Sequence, residues 1–329
     1  MILALRALGL GDLLTAVPAI RALQRIGAPL TLAVPRSLHE IVAWAGLAER
    51  TVDVASAVDA PPRPLAAPGP VQLAVNLHGQ GPQSTDVLRR LGPDQLWAYD
   101  TPGAPAWDPG EHEVRRWCRL VEHHGCRTDP ADLFLAPDSG AGDGVLLHPG
   151  ANGPLRRWPA DRFAVVARAL ALRGERVTVT AGRGEEGLAA TVVAAADHKA
   201  VTMVDGLSLV GLAEQVGRSA LVISSDTGVA HLATALCRPS VVVFGPVPPS
   251  RWGPPPLPRH RALWRPTTDS DASITPDGPH PSLLRVSVAD VLDAAAAVRA
   301  AGSDADRGGS GSSQRPNPPR SAPTRSPGA

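Results

Sequence analysis

The chain has 329 residues, enough for two domains at about 150 residues per domain. Its 32 basic and 31 acidic residues nearly cancel, which argues against a nucleic-acid or other polyanion binder. Hydrophobic residues make up 43% but aromatic residues only 3%, so the core must consist of Ala, Val and Leu, as in α/β proteins with parallel strands.

Short aliphatic runs alternate with helical patterns along the first hundred residues. Because strands and helices that take turns form βαβ units, this alternation predicts a parallel sheet. The predicted strands are Met1–Leu8, Leu30–Val34 and Val71–Leu77, and the predicted helices are Leu13–Ile26, Leu38–Ala48 and Ser84–Leu91.

A second alternating series begins at Val145, after the Gly- and Asp-rich stretch Pro137–Gly144, which we interpret as a linker. The pattern predicts two Rossmann-like domains, residues 1–137 and 143–301, with ligands bound at the carboxyl ends of the strands. The predicted strands are Val145–His148, Val177–Ala181, a short one near Thr202, Leu221–Ser224 and Ser240–Phe244, and the helices are Ala160–Arg173, Glu185–Ala196, Leu209–Arg218, Gly228–Cys237 and Val288–Ala301.

Two segments of the second half lack a clear period. The Pro-rich stretch Pro246–Pro281 is typical of a covering or functional loop. The last segment, 303–329, has no aliphatic residue larger than Ala, so we expect a disordered tail. Its excess of Arg leaves weak contact with an anionic membrane surface as an alternative to a solvated tail.

The cellular compartment is inferred from the cysteines and from the hydropathy of the chain. The three cysteines form no CxxC pair, which favours a reducing compartment. No secretory signal and no apolar run of about 20 residues is apparent. We therefore expect a soluble, cytoplasmic protein.

The first candidate motif is Gly9-Leu-Gly-Asp12, which follows the first predicted strand. The two glycines permit a sharp turn and close approach of a ligand to the amides at a helix start. The third glycine of the dinucleotide-binding fingerprint is missing, because Leu14 stands in its place. Asp12 is either a helix N-cap or a catalytic carboxylate.

The second motif is a Gly- and Asn-rich loop after the strand that ends at His148. It carries Arg156 and Arg157 just before a predicted helix. Main-chain amides together with guanidinium groups suit a phosphate. The alternative is a surface loop with two solvated arginines.

The third motif, Ser224–His231, again joins a strand to a helix through small polar residues. Thr227 and Gly228 would open that helix, where an anion is favoured. Asp226 would hold the turn or a ligand hydroxyl. His231 lies one helical turn further on, and it either faces the same pocket or is a structural histidine.

Two clusters with metal-ligand residue types do not predict a metal site. Asp269-Ser-Asp271 has the form of a metal-binding D-x-D motif, but no strand precedes it. The spacing of the other cluster matches no zinc pattern; its members are His112, Cys118, His123, His124 and Cys126.

Taken together and in this order, the motifs resemble glycosyltransferase family 9, the ADP-heptose:lipopolysaccharide heptosyltransferases. The resemblance covers roughly residues 1–255. The similar segments are Leu8–Asp12 followed by Pro18, Val75–Gly79, Glu111–Arg115, His148–Gly150, Arg156–Pro159, Ser225–His231, Ala235–Pro239 and Phe244–Pro246.

The resemblance implies a GT-B fold, with two facing Rossmann-like domains that bind the acceptor in the first and the donor nucleotide in the second. Asp12 would be the general base, and Arg156 would contact the donor phosphate where the family usually has lysine. Glu185 or Glu186 would reach the nucleoside or sugar of the donor. The remaining implied site residues are Arg157, Asp226, Thr227, Gly228 and His231 for the donor, and Gly11 and His78 for the acceptor.

The function expected from this resemblance is inverting, metal-independent transfer without a cofactor. A heptose-like sugar would pass from a nucleotide-diphospho-sugar, such as an ADP-sugar, to a hydroxyl of a glycoconjugate or another acceptor. Arg in place of Lys changes the geometry at the phosphate, which leaves the donor identity open. The alternatives are a GT-B nucleotide-sugar epimerase and a non-catalytic sugar-nucleotide-binding protein. Peripheral contact with the inner membrane surface also stays open.

Overall fold

Two parallel sheets organise the chain, one in each half. The fold is taken from a computed structural model, which describes residues 1–55, 65–135, 142–267 and 277–308. Aliphatic runs form the strands because parallel strands are buried on both faces. Every strand pair in these ranges is parallel, as the alternation of strands and helices predicts.

The first sheet has five strands in the order β3-β2-β1-β4-β5. Its strands are β1 (Ile2–Leu5), β2 (Leu30–Val34), β3 (Arg50–Asp53), β4 (Leu73–Asn76) and β5 (Gln95–Trp97). The helices of this half are α1 (Leu10–Thr15), α2 (Val17–Gln24), α3 (His39–Trp44), α4 (Gln83–Arg89) and α5 (Glu113–His123).

The second sheet has six strands in the order β11-β10-β9-β6-β7-β8. Its strands are β6 (Val145–His148), β7 (Val177–Thr180), β8 (Val201–Val204), β9 (Leu221–Ser225), β10 (Ser240–Val243) and β11 (His260–Leu263). The helices are α6 (Ala160–Leu172), α7 (Glu186–Ala196), α8 (Leu209–Gly217), α9 (Gly228–Ala235), α10 (Pro249–Trp252), α11 (Pro281–Leu284) and α12 (Val288–Gly308).

The hydrophobic core is continuous between the two halves. Successive residues of a strand point to opposite faces, so Leu3 of β1 packs with α4 while Ile2 packs toward α1 and α2. In the second sheet, Leu147 packs under α6 and α12, whereas Leu146 and Val222 join the same cluster as Ile2. One apolar layer therefore joins the inner faces of both sheets.

Several element boundaries differ from the prediction. The single helix predicted over Leu13–Ile26 is two helices that meet at Ala16, because Pro18 stands in the first turn of α2 and has no N–H to continue the helix before it. The sequence patterns also missed β3 and β5, which are short and carry exposed polar residues.

The segments without a clear period also contain regular structure. The Pro-rich stretch contains α10 and β11, and β11 extends the second sheet beside β10. Helix α12 continues to Gly308, past the predicted start of the tail at Ser303. Its sequence contains no proline that would end the helix earlier. Residues 309–329 of the predicted tail and most of the predicted linker lie outside the described ranges.

Candidate active site

The first part of the site lies where β1 ends and α1 begins. Gly9 is the N-cap of α1, and Asp12 is its third residue. The Asp12 Oδ2 atom accepts a hydrogen bond from the Gly9 N–H at 3.2 Å. Asp12 is therefore not the N-cap, although its carboxylate does pair with one of the free amides at the helix start. The Asp12 side chain is 28% exposed.

A fully buried arginine lies beneath Asp12. The Arg6 Nη2 atom is 3.6 Å from the Asp12 Oδ1 atom and 3.0 Å from the Glu113 Oε1 atom of α5. Burial raises the pKa of the Asp12 carboxyl above its usual value; the charge of Arg6 opposes this rise and that of Glu113 adds to it. A carboxylate with a raised pKa is a better proton acceptor than an ordinary aspartate.

The loop after β4 places His78 beside the same segment. Asn76 fixes the loop: its Oδ1 atom accepts from the His78 N–H at 3.0 Å, and its amide donates to Ser84 Oγ at 2.9 Å. The Ala7 N–H donates to His78 Nδ1 at 3.2 Å. Burial lowers the pKa of His78 to about 4, with the charge of Arg6 acting in the same direction. The neutral ring therefore carries its hydrogen on Nε2 and can donate there.

In the second half, Arg156 lies opposite Asp226 at the end of β9. The Arg156 Nη1 atom is 3.7 Å from the Asp226 Oδ2 atom. The loop that carries Arg156 is fixed to β9, because the Trp158 N–H donates to Ser225 Oγ at 3.1 Å. Burial raises the pKa of Asp226 to about 6; Arg156 opposes the rise, and the charge of Asp12 adds to it. Asp12 and Asp226 are thus electrostatic neighbours across the two halves.

The adjacent Arg157 lies beside a different carboxylate. Its Nη2 atom is 3.1 Å from the Glu185 Oε1 atom, which also accepts from the Ala151 N–H at 3.0 Å. A Cβ atom at Gly150 would overlap the Glu185 carboxylate, and one at Gly182 would lie 2.7 Å from it. Glu185 is therefore enclosed by the two loops that follow β6 and β7.

The structure distinguishes between the two glutamates that the sequence left open. Glu186, the first residue of α7, is exposed and accepts from the Gly184 N–H at 3.1 Å. Glu185 is the one that lies with Arg157 at the carboxyl ends of the strands.

Helix α9 begins at Gly228 with Thr227 as its N-cap, as the third motif predicts. The Thr227 hydroxyl accepts from the Val229 N–H at 3.3 Å. The Gly228 amide stands at the start of this helix, where an anion is favoured.

The two motif-bearing helices meet at their first turns. A Cβ atom at Gly11 would lie 2.8 Å from His231 Cδ2, and one at Gly228 would lie 3.1 Å from Leu10 Cβ. Glycine at both positions is therefore what allows this close approach. Burial lowers the pKa of His231 to about 4, as does the neighbouring His112, so the ring is neutral near pH 7.

Two residues at this site, Arg6 and Glu113, are not among the site residues expected from the sequence. Arg6 could have been noticed as a charged residue that directly follows a buried aliphatic strand. Glu113 lies in the segment Glu111–Arg115, which resembles the family, but nothing local pairs it with Arg6, which is 107 positions away in the chain.

Within the described ranges, no group of three His, Cys, Asp or Glu residues is arranged to hold a metal ion, and no helix is both long and apolar enough to cross a bilayer. The D-x-D sequence at Asp269–Asp271 lies outside the described residues.

A sequence model of glycosyltransferase family 9 (heptosyltransferase) matches residues 88–272, more than half of the chain. The chain belongs to this family. The resemblance of the sequence motifs to this family is thus confirmed.

Known relatives support the same assignment. The chain is 33% identical over 157 residues to lipopolysaccharide heptosyltransferase 1 of Pseudomonas aeruginosa, a match that covers 45% of this chain and 43% of that protein. The matched region thus spans less than half of the relative's length.

Solved structures resemble this chain over about nine tenths of its length. ADP-heptose LPS heptosyltransferase II of E. coli has a TM-score of 0.73 at 18% identity, covering 92% of this chain and 99% of that one. An E. coli heptosyltransferase solved with ADP has a TM-score of 0.66 at 20% identity, covering 89% and 98%. The likeness confirms the predicted GT-B architecture.

Proposed function

We propose that this glycosyltransferase moves a heptose-type sugar from an ADP-heptose-type donor to a hydroxyl group of a glycoconjugate, with inversion and without a metal ion. Two known proteins motivate the choice of donor and acceptor: the relative named as a lipopolysaccharide heptosyltransferase and the similar structure that was solved with ADP. We infer a domain division near residues 137–143, with the acceptor in the first half and the donor in the second.

One observation carries the proposal: the close approach of α1 and α9 at Gly11 and His231. It brings Asp12, from the first sheet, into the electrostatic range of Asp226, from the second. A transferase needs a base on the acceptor side within reach of a donor held on the other side. A binding protein has no such need for a carboxylate with a raised pKa at this contact.

The donor would lie at the carboxyl ends of β6, β7 and β9. Arg156 would bind the diphosphate together with the amides of Thr227 and Gly228 at the start of α9. Asp226 would lie beside Arg156 near the diphosphate. His231, which is neutral, would contact the diphosphate without adding charge.

Glu185 would contact a part of the donor other than the diphosphate. Glu185 accepts from Arg157 and from a main-chain amide, and its remaining lone pairs suit hydroxyl donors of a ribose or sugar. Arg157 would orient Glu185 and contact the donor from the same loop.

In the transfer step, the Asp12 carboxylate would remove the proton from the acceptor hydroxyl as its oxygen attacks the anomeric carbon. The bond from that carbon to the diphosphate oxygen breaks, and the nucleoside diphosphate departs with the electron pair. Arg156 and the α9 amides would stabilise the charge that develops on the leaving oxygen. His78 would donate from Nε2 to the acceptor beside Gly11.

The test is Asp12→Asn, compared with Asp290→Asn as a matched control. Asp290 is the third residue of α12, accepts from the Ser287 N–H at 2.9 Å, lies 3.1 Å from Arg265 and has a 29% exposed side chain. Asp290 thus shares with Asp12 its position in the helix, its main-chain hydrogen bond and its nearby arginine, but it lies on α12 and not on α1 or α9. ADP release from ADP-heptose is measured with heptose-deficient lipopolysaccharide as the acceptor.

We expect Asp12→Asn to lower the transfer rate by about 10²–10⁴-fold, whereas Asp290→Asn transfers at the normal rate. The affinity for ADP, measured by calorimetry, should stay nearly constant in both variants. Normal transfer by Asp12→Asn would refute the role of Asp12 as the base. A large loss of ADP affinity in this variant would refute the division of donor and acceptor between the two halves.

A further inference from the structure

Glu113, at the start of α5, accepts hydrogen bonds from three buried donors. They come from Arg6 Nη2 at 3.0 Å, from Trp117 Nε1 at 2.9 Å and from Arg116 Nη1. The Glu113 side chain is only 6% exposed. A carboxylate buried so completely has to be fully paired, and this pairing joins α5 to the loop beneath Asp12.

The guanidinium of Arg6 makes its hydrogen bonds to groups other than the Asp12 carboxylate. Its Nε atom donates to the main-chain oxygen of Asp12 at 2.9 Å, and its Nη1 atom donates to Leu77 O at 2.5 Å. Its Nη2 atom donates to Glu113 and, at 3.3 Å, to Thr15 Oγ1. The Asp12 Oδ1 atom is 3.6 Å from Nη2, which is too long for a hydrogen bond.

We propose that Glu113 is a positioning residue for transfer: it holds the Arg6 guanidinium on itself and so keeps the Asp12 carboxylate free to accept a proton from the acceptor. The inference rests on the proposed role of Asp12 as the base. Without the Glu113 charge, Arg6 would turn its donors to Asp12. A carboxylate that accepts charged hydrogen bonds is a weaker base.

The charges around Asp12 determine whether its pKa rises or falls when the Glu113 charge is removed. Arg6 is the cation nearest to its carboxylate, and Glu113 and Asp226 are the anions that interact with it. His78 and His231 both have pKa values of about 4 and are neutral above that pH. Arg116, which also faces this cluster, is paired with Glu113. Removing the Glu113 charge therefore lowers the pKa of Asp12, whereas removing the Arg6 charge raises it.

The size of the shift follows from the geometry. The nearest oxygens of Asp12 and Glu113 lie against the same Arg6 nitrogen. Two unit charges about 6 Å apart at an effective dielectric of about 20 change each other's pKa by up to roughly 2 units.

The experiment compares Glu113→Gln with Glu111→Gln in the full chain. Glu111 is a matched control two positions away, since its carboxylate pairs with Arg119 at 2.7 Å and does not contact Arg6. Two readouts are taken: the acid limb of the pH profile of kcat/KM for transfer, and the titration of the Asp12 carboxyl carbon by NMR, identified by its loss in Asp12→Asn.

In Glu113→Gln we expect both midpoints to move down by about 1–2 pH units, and in Glu111→Gln we expect both to stay at the wild-type value. Arg6→Gln serves as a second variant with the opposite sign, and its midpoints should move up. It also keeps the inference testable if Glu113→Gln does not fold, because Glu113 retains Arg116 and Trp117 as partners in that variant.

A lower rate at every pH with unchanged midpoints would overturn the inference, because a merely structural role of Glu113 predicts that result. The NMR titration does not depend on transfer. If the midpoint shifts as expected while Asp12→Asn still transfers sugar normally, the charge arrangement stands and only the proposed function fails.

Discussion

Gly11→Ala tests the contact between α1 and α9 on which the proposed transfer depends. The added Cβ atom would lie 2.8 Å from His231 Cδ2, closer than a carbon–carbon contact allows, and 3.6 Å from the main chain of Gly228. Overpacking of this kind typically costs about 1–3 kcal/mol. Ala in place of Gly within a helix returns up to about 1 kcal/mol. We therefore expect a net loss of about 1 kcal/mol, which lowers Tm by roughly 1–2 °C in a chain of 329 residues.

Transfer should be more sensitive than stability to this substitution. If α1 moves away from α9, Asp12 moves with it, and a displacement of about 1 Å between reacting groups can lower a rate by about 100-fold. The matched control is Gly187→Ala in the first turn of α7, where a Cβ atom would meet nothing within 4 Å. We expect this control to raise Tm slightly and to transfer normally.

Thermal melting and ADP release from ADP-heptose with heptose-deficient lipopolysaccharide provide the two measurements. Gly11→Ala should lose at least about tenfold in transfer. ADP affinity should fall less than transfer, because His231 is only one of the residues proposed to hold the donor. If Gly11→Ala were as stable and as active as Gly187→Ala, the contact between α1 and α9 would not be needed for transfer, and the argument built on it would be wrong.

Two further predictions concern the donor half. Arg156→Ala should weaken ADP binding, measured by calorimetry, by about 1–2 kcal/mol, or roughly 5- to 30-fold. The loss is moderate because the Arg156 side chain is 40% exposed and its charge is partly screened. An unchanged ADP affinity would show that the phosphate does not bind at Arg156. As the pH rises through about 6, Asp226 loses its proton and then competes with the diphosphate for Arg156. The ADP affinity of the wild type, divided by that of Asp226→Asn at the same pH, should therefore fall several-fold between pH 5 and pH 7.5. Because the phosphates of ADP titrate in the same way with both proteins, their titration cancels in this ratio. A ratio that does not change with pH would contradict the competition between Asp226 and the diphosphate.

Much of the fold was predictable because its signals are local. The strands β2 and β6 and the start of α9 lie where the sequence places them, since aliphatic runs and helix caps depend on neighbouring residues. The short strands β3 and β5 were missed because they have few apolar residues, and sheet neighbours provide their hydrogen bonds. The boundary at Ala16 was missed because the apolar pattern continues across it.

The sequence alone determined that the candidate residues gather at one edge of each sheet. Asp12, Asp226 and the two arginines each follow a strand, and the carboxyl ends of parallel strands lie on the same edge. It could not determine which partner each residue meets. Arg156 and Arg157 are adjacent and chemically identical, yet Arg156 ends a 3₁₀ turn while Arg157 is extended, so they lie beside Asp226 and Glu185 respectively.

Only the tertiary structure decided the environment of Asp12. Its pKa depends on burial, on Arg6 and on Glu113, and the contact between Arg6 and Glu113 joins segments 107 positions apart. Local periodicity carries no information over such a separation, because the packing of whole helices and sheets sets these distances. The chemical types at the site were thus encoded locally, whereas their charges and mutual orientation arise from the way the two halves pack together.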